Sequence, residues 1–182
     1  MMKPLFCILF CLALCGCGIF SKEPYRDVNY YDFTCKTKNQ KDLGIMVSEL
    51  SADRPYSDKM VFRISDYRIE MDEYNRWSAS PAELTRKYFA VAFENANPAK
   101  APDYVFKAEI MQFEADLGRS KIRLMLQVSV SSAKSGNVLI HKVYSEDIPV
   151  EKVTGESFAA GIETCLDRIV VKLAMDMSGL PQ

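Results

Sequence analysis

The chain has 182 residues, 48% of them hydrophobic, with 23 basic against 24 acidic side chains and a formal net charge of −1. That length suits a single globular domain with a real core. The near-neutral balance, without a basic patch or tail, gives nucleic acid no electrostatic footprint, and no low-complexity tract or internal repeat is visible.

The chain opens Met1-Met2-Lys3 with one positive charge, followed by an apolar run from Leu5 to Leu14 and small residues around Gly16. That order is a secretory signal peptide, since a spanning helix needs about 20 apolar residues. Cys7, Cys11, Cys15 and Cys17 crowd this segment. Their spacing is irregular and their flanks are Leu, Ile and Phe, whereas metal-ligand cysteines come as separated C-x-x-C pairs in polar sequence. Leu14-Cys15-Gly16-Cys17 resembles the bacterial lipobox, with Gly16 filling the small-residue slot before the acceptor. The resemblance implies removal of residues 1–16 and lipidation of Cys17, which would carry acyl chains such as palmitate. Residues 17–28 then form a lipidated N-terminus and tether, and residues 29–182 a single domain. Acyl chains would hold the protein at a membrane.

Processing leaves Cys35 and Cys165. In an oxidising periplasm they suggest a disulfide; it would close a loop of about 130 residues, for roughly 5 kcal/mol in the chain-entropy model. Two small buried hydrophobes are the alternative.

Alternation predicts strands over residues 30–37, 44–50, 59–65 and 67–71, with a polar loop over 51–58 and a turn at Asp66. Ser80-Pro81-Ala82-Glu83 then combines a Ser N-cap, Pro at the first helical position and Glu three residues after the cap. This capping box predicts a helix to about Asn95, burying Leu84, Tyr88, Val91 and Ala92. Residues 97–102, with two prolines, end it. Three longer strands follow. Tyr104, Phe106, Ala108 and Ile110 alternate with polar residues, as do Ile122, Leu124, Leu126, Val128 and Val130; Val138, Ile140 and Tyr144 repeat the pattern less regularly up to Ile148. Leu117-Gly118-Arg119 and Ser135-Gly136-Asn137 supply the turns. A last helix from about Thr154 to Met177 carries the stripe Phe158, Ile162, Cys165, Ile169 and Leu173, and Ser178-Gly179-Leu180-Pro181 stops it.

Short turns between consecutive strands imply an antiparallel meander. Two amphipathic helices and one sheet make an α+β two-layer sandwich: a mainly antiparallel sheet of about six or seven strands with both helices on one face. Cys165 would point into that core, with Cys35 on the first strand.

Chemistry is poorly signposted. The one His, His141, sits on a strand without an orienting acid or nucleophile motif. No Gly-rich phosphate loop, nucleophile elbow, zinc-protease or calcium-loop pattern occurs, so the sequence argues against an enzyme and calls for no cofactor and no metal. Tyr74-Asn75-Arg76-Trp77 contains the one Trp of the chain beside an Arg. Trp and Arg are enriched at interface hot spots; the structural alternative packs Trp77 under the helix start and pairs Arg76 with an acid.

Asp53-Arg54-Pro55, Val61-Phe62-Arg63, Tyr74-Asn75-Arg76-Trp77, Pro81 and an amphipathic helix follow one another in an order that resembles the ABC-type transport auxiliary lipoprotein family. Its members are periplasmic lipoproteins of MCE-type lipid transport systems, including the paraquat-inducible PqiC type. One departure is Ser78-Ala79-Ser80, where more acidic and proline-rich residues would be expected. The resemblance implies a non-catalytic component that forms a homo-oligomer and docks an MCE-domain periplasmic protein with its ABC permease complex. It also singles out Arg63, Tyr74, Arg76 and Trp77 as family-motif or partner-binding positions. Gly18 after Cys17 is compatible with the outer membrane, facing the periplasm; the inner membrane is the alternative site of anchoring. The competing role is an outer-membrane assembly lipoprotein, a plug or chaperone for a β-barrel.

Overall fold

The computed structural model describes residues 25–36, 43–93 and 101–180. Cys17, the signal segment, the end of the first helix at Asn95 and most of the following breaker lie outside them.

Among the described residues there are seven strands and two helices. In chain order they are β1 (Asn29–Tyr31), β2 (Ile45–Ala52), β3 (Lys59–Ser65), β4 (Arg68–Trp77), α1 (Pro81–Ala92), β5 (Tyr104–Asp116), β6 (Lys121–Ser132), β7 (Val138–Pro149) and α2 (Gly155–Met177). The sheet order is β1-β4-β3-β5-β6-β7, with β2 also paired to β5.

The expected meander is the hairpin run β5-β6-β7, antiparallel throughout, and β3 pairs β4 in the same sense. The other pairings are parallel: β1 with β4, and both β2 and β3 with β5. The sheet is therefore mixed. The two parallel partners share β5 by length: β2 takes Tyr104 to Ile110 and β3 takes Ala115 and Asp116. Residues 53–58 cross between them, with a cis Arg54–Pro55 peptide. β1 is shorter than expected. It stops at Tyr31, and Cys35 lies in the irregular segment beyond it.

One face of the sheet is apolar and both helices lie on it. Phe106, Ile110, Phe113, Ile122, Leu124, Leu126, Val128 and Val130 meet the α2 stripe of Phe158, Ile162, Cys165, Ile169 and Leu173, all buried. β6 contributes every second residue, as the pleat requires, while β5 changes phase between Ile110 and Phe113. α2 reaches β6 closely at Gly161, where an added Cβ would stand 2.4 Å from the Ile122 side chain.

Both helix starts are capped. Ser80 Oγ accepts from the Glu83 N–H at 3.2 Å, while the Glu83 carboxylate pairs with Lys87 at 3.0 Å. The expected box at Ser80 is thus met on one side. A reciprocal box stands at α2: Thr154 Oγ1 accepts from Ser157 N–H at 3.1 Å and Ser157 Oγ from Thr154 N–H at 2.8 Å. On α1, Phe89 takes the buried place expected of Val91, which is 40% exposed.

Candidate functional site

The family-motif residues sit on β3 and β4, and the pleat sends them to opposite faces. Trp77 closes β4 on the helix side and is 1% exposed. Its ring meets Phe158 at 5.1 Å, Phe113 at 5.3 Å and Phe33 at 5.9 Å, all edge-on, the geometry favoured by the aromatic quadrupole. Its backbone N–H donates to Asp58 C=O at 2.7 Å, and the next N–H, of Ser78, to Tyr31 C=O at 2.8 Å. Trp77 thus ties β4, β5 and the start of α2 together.

Arg76 points to the other face and donates from Nη1 to Asp58 Oδ2 at 3.1 Å. Its Nε is buried without a hydrogen-bond partner among the described residues. Tyr74 lies under the Arg26 guanidinium, 5.3 Å from its ring centre, and its N–H donates to Asp72 Oδ1 at 2.7 Å. Asn75 also donates to Asp72, from backbone and side chain. Burial opposes ionisation of Asp72, but these hydrogen bonds prevail and hold its carboxyl below the ordinary value.

Arg63 is not part of this group. The strand register sets Lys59, not Arg63, opposite Arg76, leaving four residues or roughly 13 Å along β3 between them. Arg63 instead grips Glu114 of β5 with two bonds, Nε to Oε1 at 2.6 Å and Nη2 to Oε2 at 2.9 Å. The Glu114 side chain is fully buried and also accepts from Gln112 at 2.9 Å, with Arg123 3.5 Å away. Arg123 and Lys121 reach Asp147 on β7, and Arg119 bridges Asp66 and Asp116. This is an ion network on the sheet face opposite the two described helices. Strand alternation reads residues up to Ile110; Glu114 lies beyond the irregularity between Ile110 and Gln112, which resets the phase. An acid between Phe113 and Ala115 was its one sequence signal.

The two cysteines are not joined by a disulfide. Cys165 faces β7, with Sγ 3.9 Å from the Glu146 carbonyl. Lys36, next to Cys35, pairs with Glu163 at 2.7 Å, and at about 100° per residue positions 163 and 165 point to nearly opposite sides of α2. Burial pushes the Cys165 thiol up to about 12. His141 is exposed on β7, opposite Ser129, in a shallow depression also lined by Glu49, Lys107, Glu109 and Gln127. Among the described residues no group of three or more His, Cys, Asp or Glu is placed to hold a metal ion, and no helix is long and apolar enough to cross a membrane.

Solved structures that share the fold include the following two. A Xanthomonas campestris protein assigned to the DUF330 family superposes with a TM-score of 0.69 at 18% identity, over 80% of this chain and 92% of that one. An uncharacterized protein matches with a TM-score of 0.63 at 11% identity, over 81% and 99%. Among curated proteins none matches. The family model for the ABC-type transport auxiliary lipoprotein component matches residues 52–174, from the end of β2 into the last turn of α2, and the chain belongs to that family.

Proposed function

We propose that this protein is the non-catalytic lipoprotein component of an MCE/ABC-type intermembrane lipid transport system, docking the periplasmic MCE protein near the outer membrane. The observation that carries this reading is the family match over residues 52–174, which takes in the motif strands and both helices. The lipobox at Cys17 supports acyl anchoring with the folded domain in the periplasm. A homo-oligomer is supported by sheet edges left open among the described residues: β7 is paired on one side, and β1 covers three residues of the ten-residue β4. Unpaired edges are templates for another chain. ATP hydrolysis belongs to a separate subunit in this scheme.

The test is affinity purification of the full chain after crosslinking in cells and detergent extraction. Recovery of an MCE-domain protein with an ABC permease is the expected result. Recovery of a β-barrel alone would replace this reading with the assembly-lipoprotein role, and recovery of neither would sink it.

A further inference from the structure

Two hairpin turns stand side by side at one end of the sheet. Asp66 and Tyr67 turn β3 into β4, and Leu117 to Ser120 turn β5 into β6. They are fastened by the Leu117 N–H donating to Arg63 C=O at 2.9 Å and by Arg119 Nη2 donating to Asp66 Oδ1 at 2.6 Å. Water-facing turns are ordinarily polar, yet this end carries Tyr67 at 100% exposure and Leu117 at 44%, with Ile69 at 38% and Met71 at 50% beside them. Arg68 and Arg119 flank them, each ion-paired but more than half or half exposed at the side chain. Apolar tips framed by long cationic side chains suit the boundary between lipid headgroups and acyl chains, where Tyr is enriched and Arg can keep its charge in water.

The direction of the chain indicates what meets this end. β1 runs parallel to β4, with Asn29 opposite Asn75. Going backward from Asn29, the chain therefore heads the same way as β4 going backward, toward Arg68 and the Tyr67 turn. The Arg26 guanidinium over the Tyr74 ring shows that it still lies beside β4 there. By the same offset Tyr25 comes level with Met71, about 13 Å from Tyr67. Only eight residue steps separate Tyr25 from Cys17, a reach of at most about 28 Å.

We infer that the sheet end bearing Tyr67 and Leu117 rests on the phospholipid surface that holds the Cys17 acyl chains. The protein then stands on its β3–β4 and β5–β6 turns, with the β6–β7 turn at Gly136 pointing away from that membrane. The inference rests on lipidation of Cys17 but does not depend on the transport partner.

The acylated full chain is prepared with Cys35→Ser and one reporter cysteine in turn, Tyr67→Cys, Leu117→Cys or Val138→Cys, each at an exposed position so that folding is retained. Each is labelled with an environment-sensitive fluorophore and reconstituted in phosphatidylethanolamine and phosphatidylglycerol vesicles containing headgroup-nitroxide lipid. Labels at 67 and 117 should be quenched several-fold more than the label at 138. Equal quenching at all three, or greatest quenching at 138, in protein whose Cys17 carries acyl mass overturns the orientation alone. Absence of acyl mass on Cys17 overturns the lipidation reading, and with it the anchor from which the orientation follows.

Discussion

Arg63 and Glu114 are 51 positions apart in sequence, yet their side chains meet fork to fork, with bonds of 2.6 and 2.9 Å. The pairing lies where β3 leaves β5, next to the two register pairs that join them, Phe62 with Ala115 and Arg63 with Asp116. With so few backbone contacts at this seam, side chains do much of the joining. The ion pair bridges the face opposite the two described helices, and Phe62 packs against Phe158 on the other, 5.8 Å between ring centres.

The pair is asymmetric, and that predicts an order of mutational costs. Glu114 is fully buried at its side chain, whereas Arg63 is 20% and Arg123 26% exposed. Arg63→Met strips a buried carboxylate of its main partner, an effect worth about 3–5 kcal/mol where one partner of a buried pair is removed. Glu114→Gln leaves guanidinium groups that water can reach and should cost clearly less. In Arg63→Met/Glu114→Gln the lone charge is gone, so the double variant should be more stable than Arg63→Met. Urea unfolding of the three proteins checks this; equal costs for the two single variants would contradict it.

Trp77 acts through packing. Removing its indole opens a cavity among Phe33, Phe113 and Phe158, so Trp77→Ala should lose about 3–5 kcal/mol. Trp77→Phe should lose much less because the aromatic contacts partly survive. Arg76→Ala removes a pair that water reaches at Asp58 and should stay near 1 kcal/mol. A thermal-melting series gives the ranking. If Trp77→Phe folds as stably as the parent yet loses a crosslinked partner, the residue also serves binding.

How much of this was legible in sequence varies with the range of the signal. All five residues expected on the α2 stripe are buried, because a 3.6-residue period over six turns leaves little choice of face; Leu166 and Val170 widen it. β6 alternates cleanly because one of its faces is covered along its whole length. Strand direction was not legible: alternation is identical for parallel and antiparallel partners, so the pairings of β2 and β3 with β5 needed the third dimension. β4 ran on to Trp77 because its acids and Tyr74 lie on an exposed edge, where no burial writes a period. Val91 and Phe89 exchanged roles through a modest rotation of a short helix. Arg63 and Trp77 stood out by residue type, yet nothing local said that one would find Glu114 and the other three phenylalanines.

Gly161 offers a test of the helix–sheet contact. In an exposed helix Gly→Ala gains about 1 kcal/mol of propensity. Here the new methyl would stand 2.4 Å from the Ile122 side chain, itself fully buried, and overpacking typically costs about 1–3 kcal/mol. Gly161→Ala should therefore destabilise. Gly161→Ala with Ile122→Val, which trims the opposing side chain, should recover part of the loss. Denaturant midpoints of the pair check this, and a stabilised Gly161→Ala would show that α2 stands farther from β6.

The Cys165 thiol and the buried tyrosine hydroxyls predict how stability depends on pH. Burial, and secondarily the nearby Glu146 carboxylate, raise the Cys165 thiol to about 12. Burial also raises the Tyr88 and Tyr144 hydroxyls, reinforced by their hydrogen bonds to Asp167 and Asp176. Each is neutral in the folded state at pH values where the unfolded chain has begun to ionise. Their contribution is therefore complete below their unfolded values, near 8.5 for Cys and 10 for Tyr, and is lost as pH rises toward the folded ones. The carboxyls run the other way. Burial is the largest single effect on Asp116 and raises it, but the hydrogen bonds from Arg119 with the charges of Arg119 and Arg123 together outweigh it and lower the carboxyl. Asp176 is lowered chiefly by its hydrogen bonds from Lys142 and Tyr144. Their contribution is present above the unfolded Asp value of about 3.9 and is lost as pH falls through the folded ones. The melting temperature should hold level near neutrality, fall above about pH 9 and fall again below about pH 4. Cys165→Ala should flatten the first part of the alkaline fall without touching the acid limb. In the folded protein at pH 7, Cys165 should resist maleimide. In urea without reductant both Cys35 and Cys165 should react; two unreactive cysteines there would establish a disulfide between them.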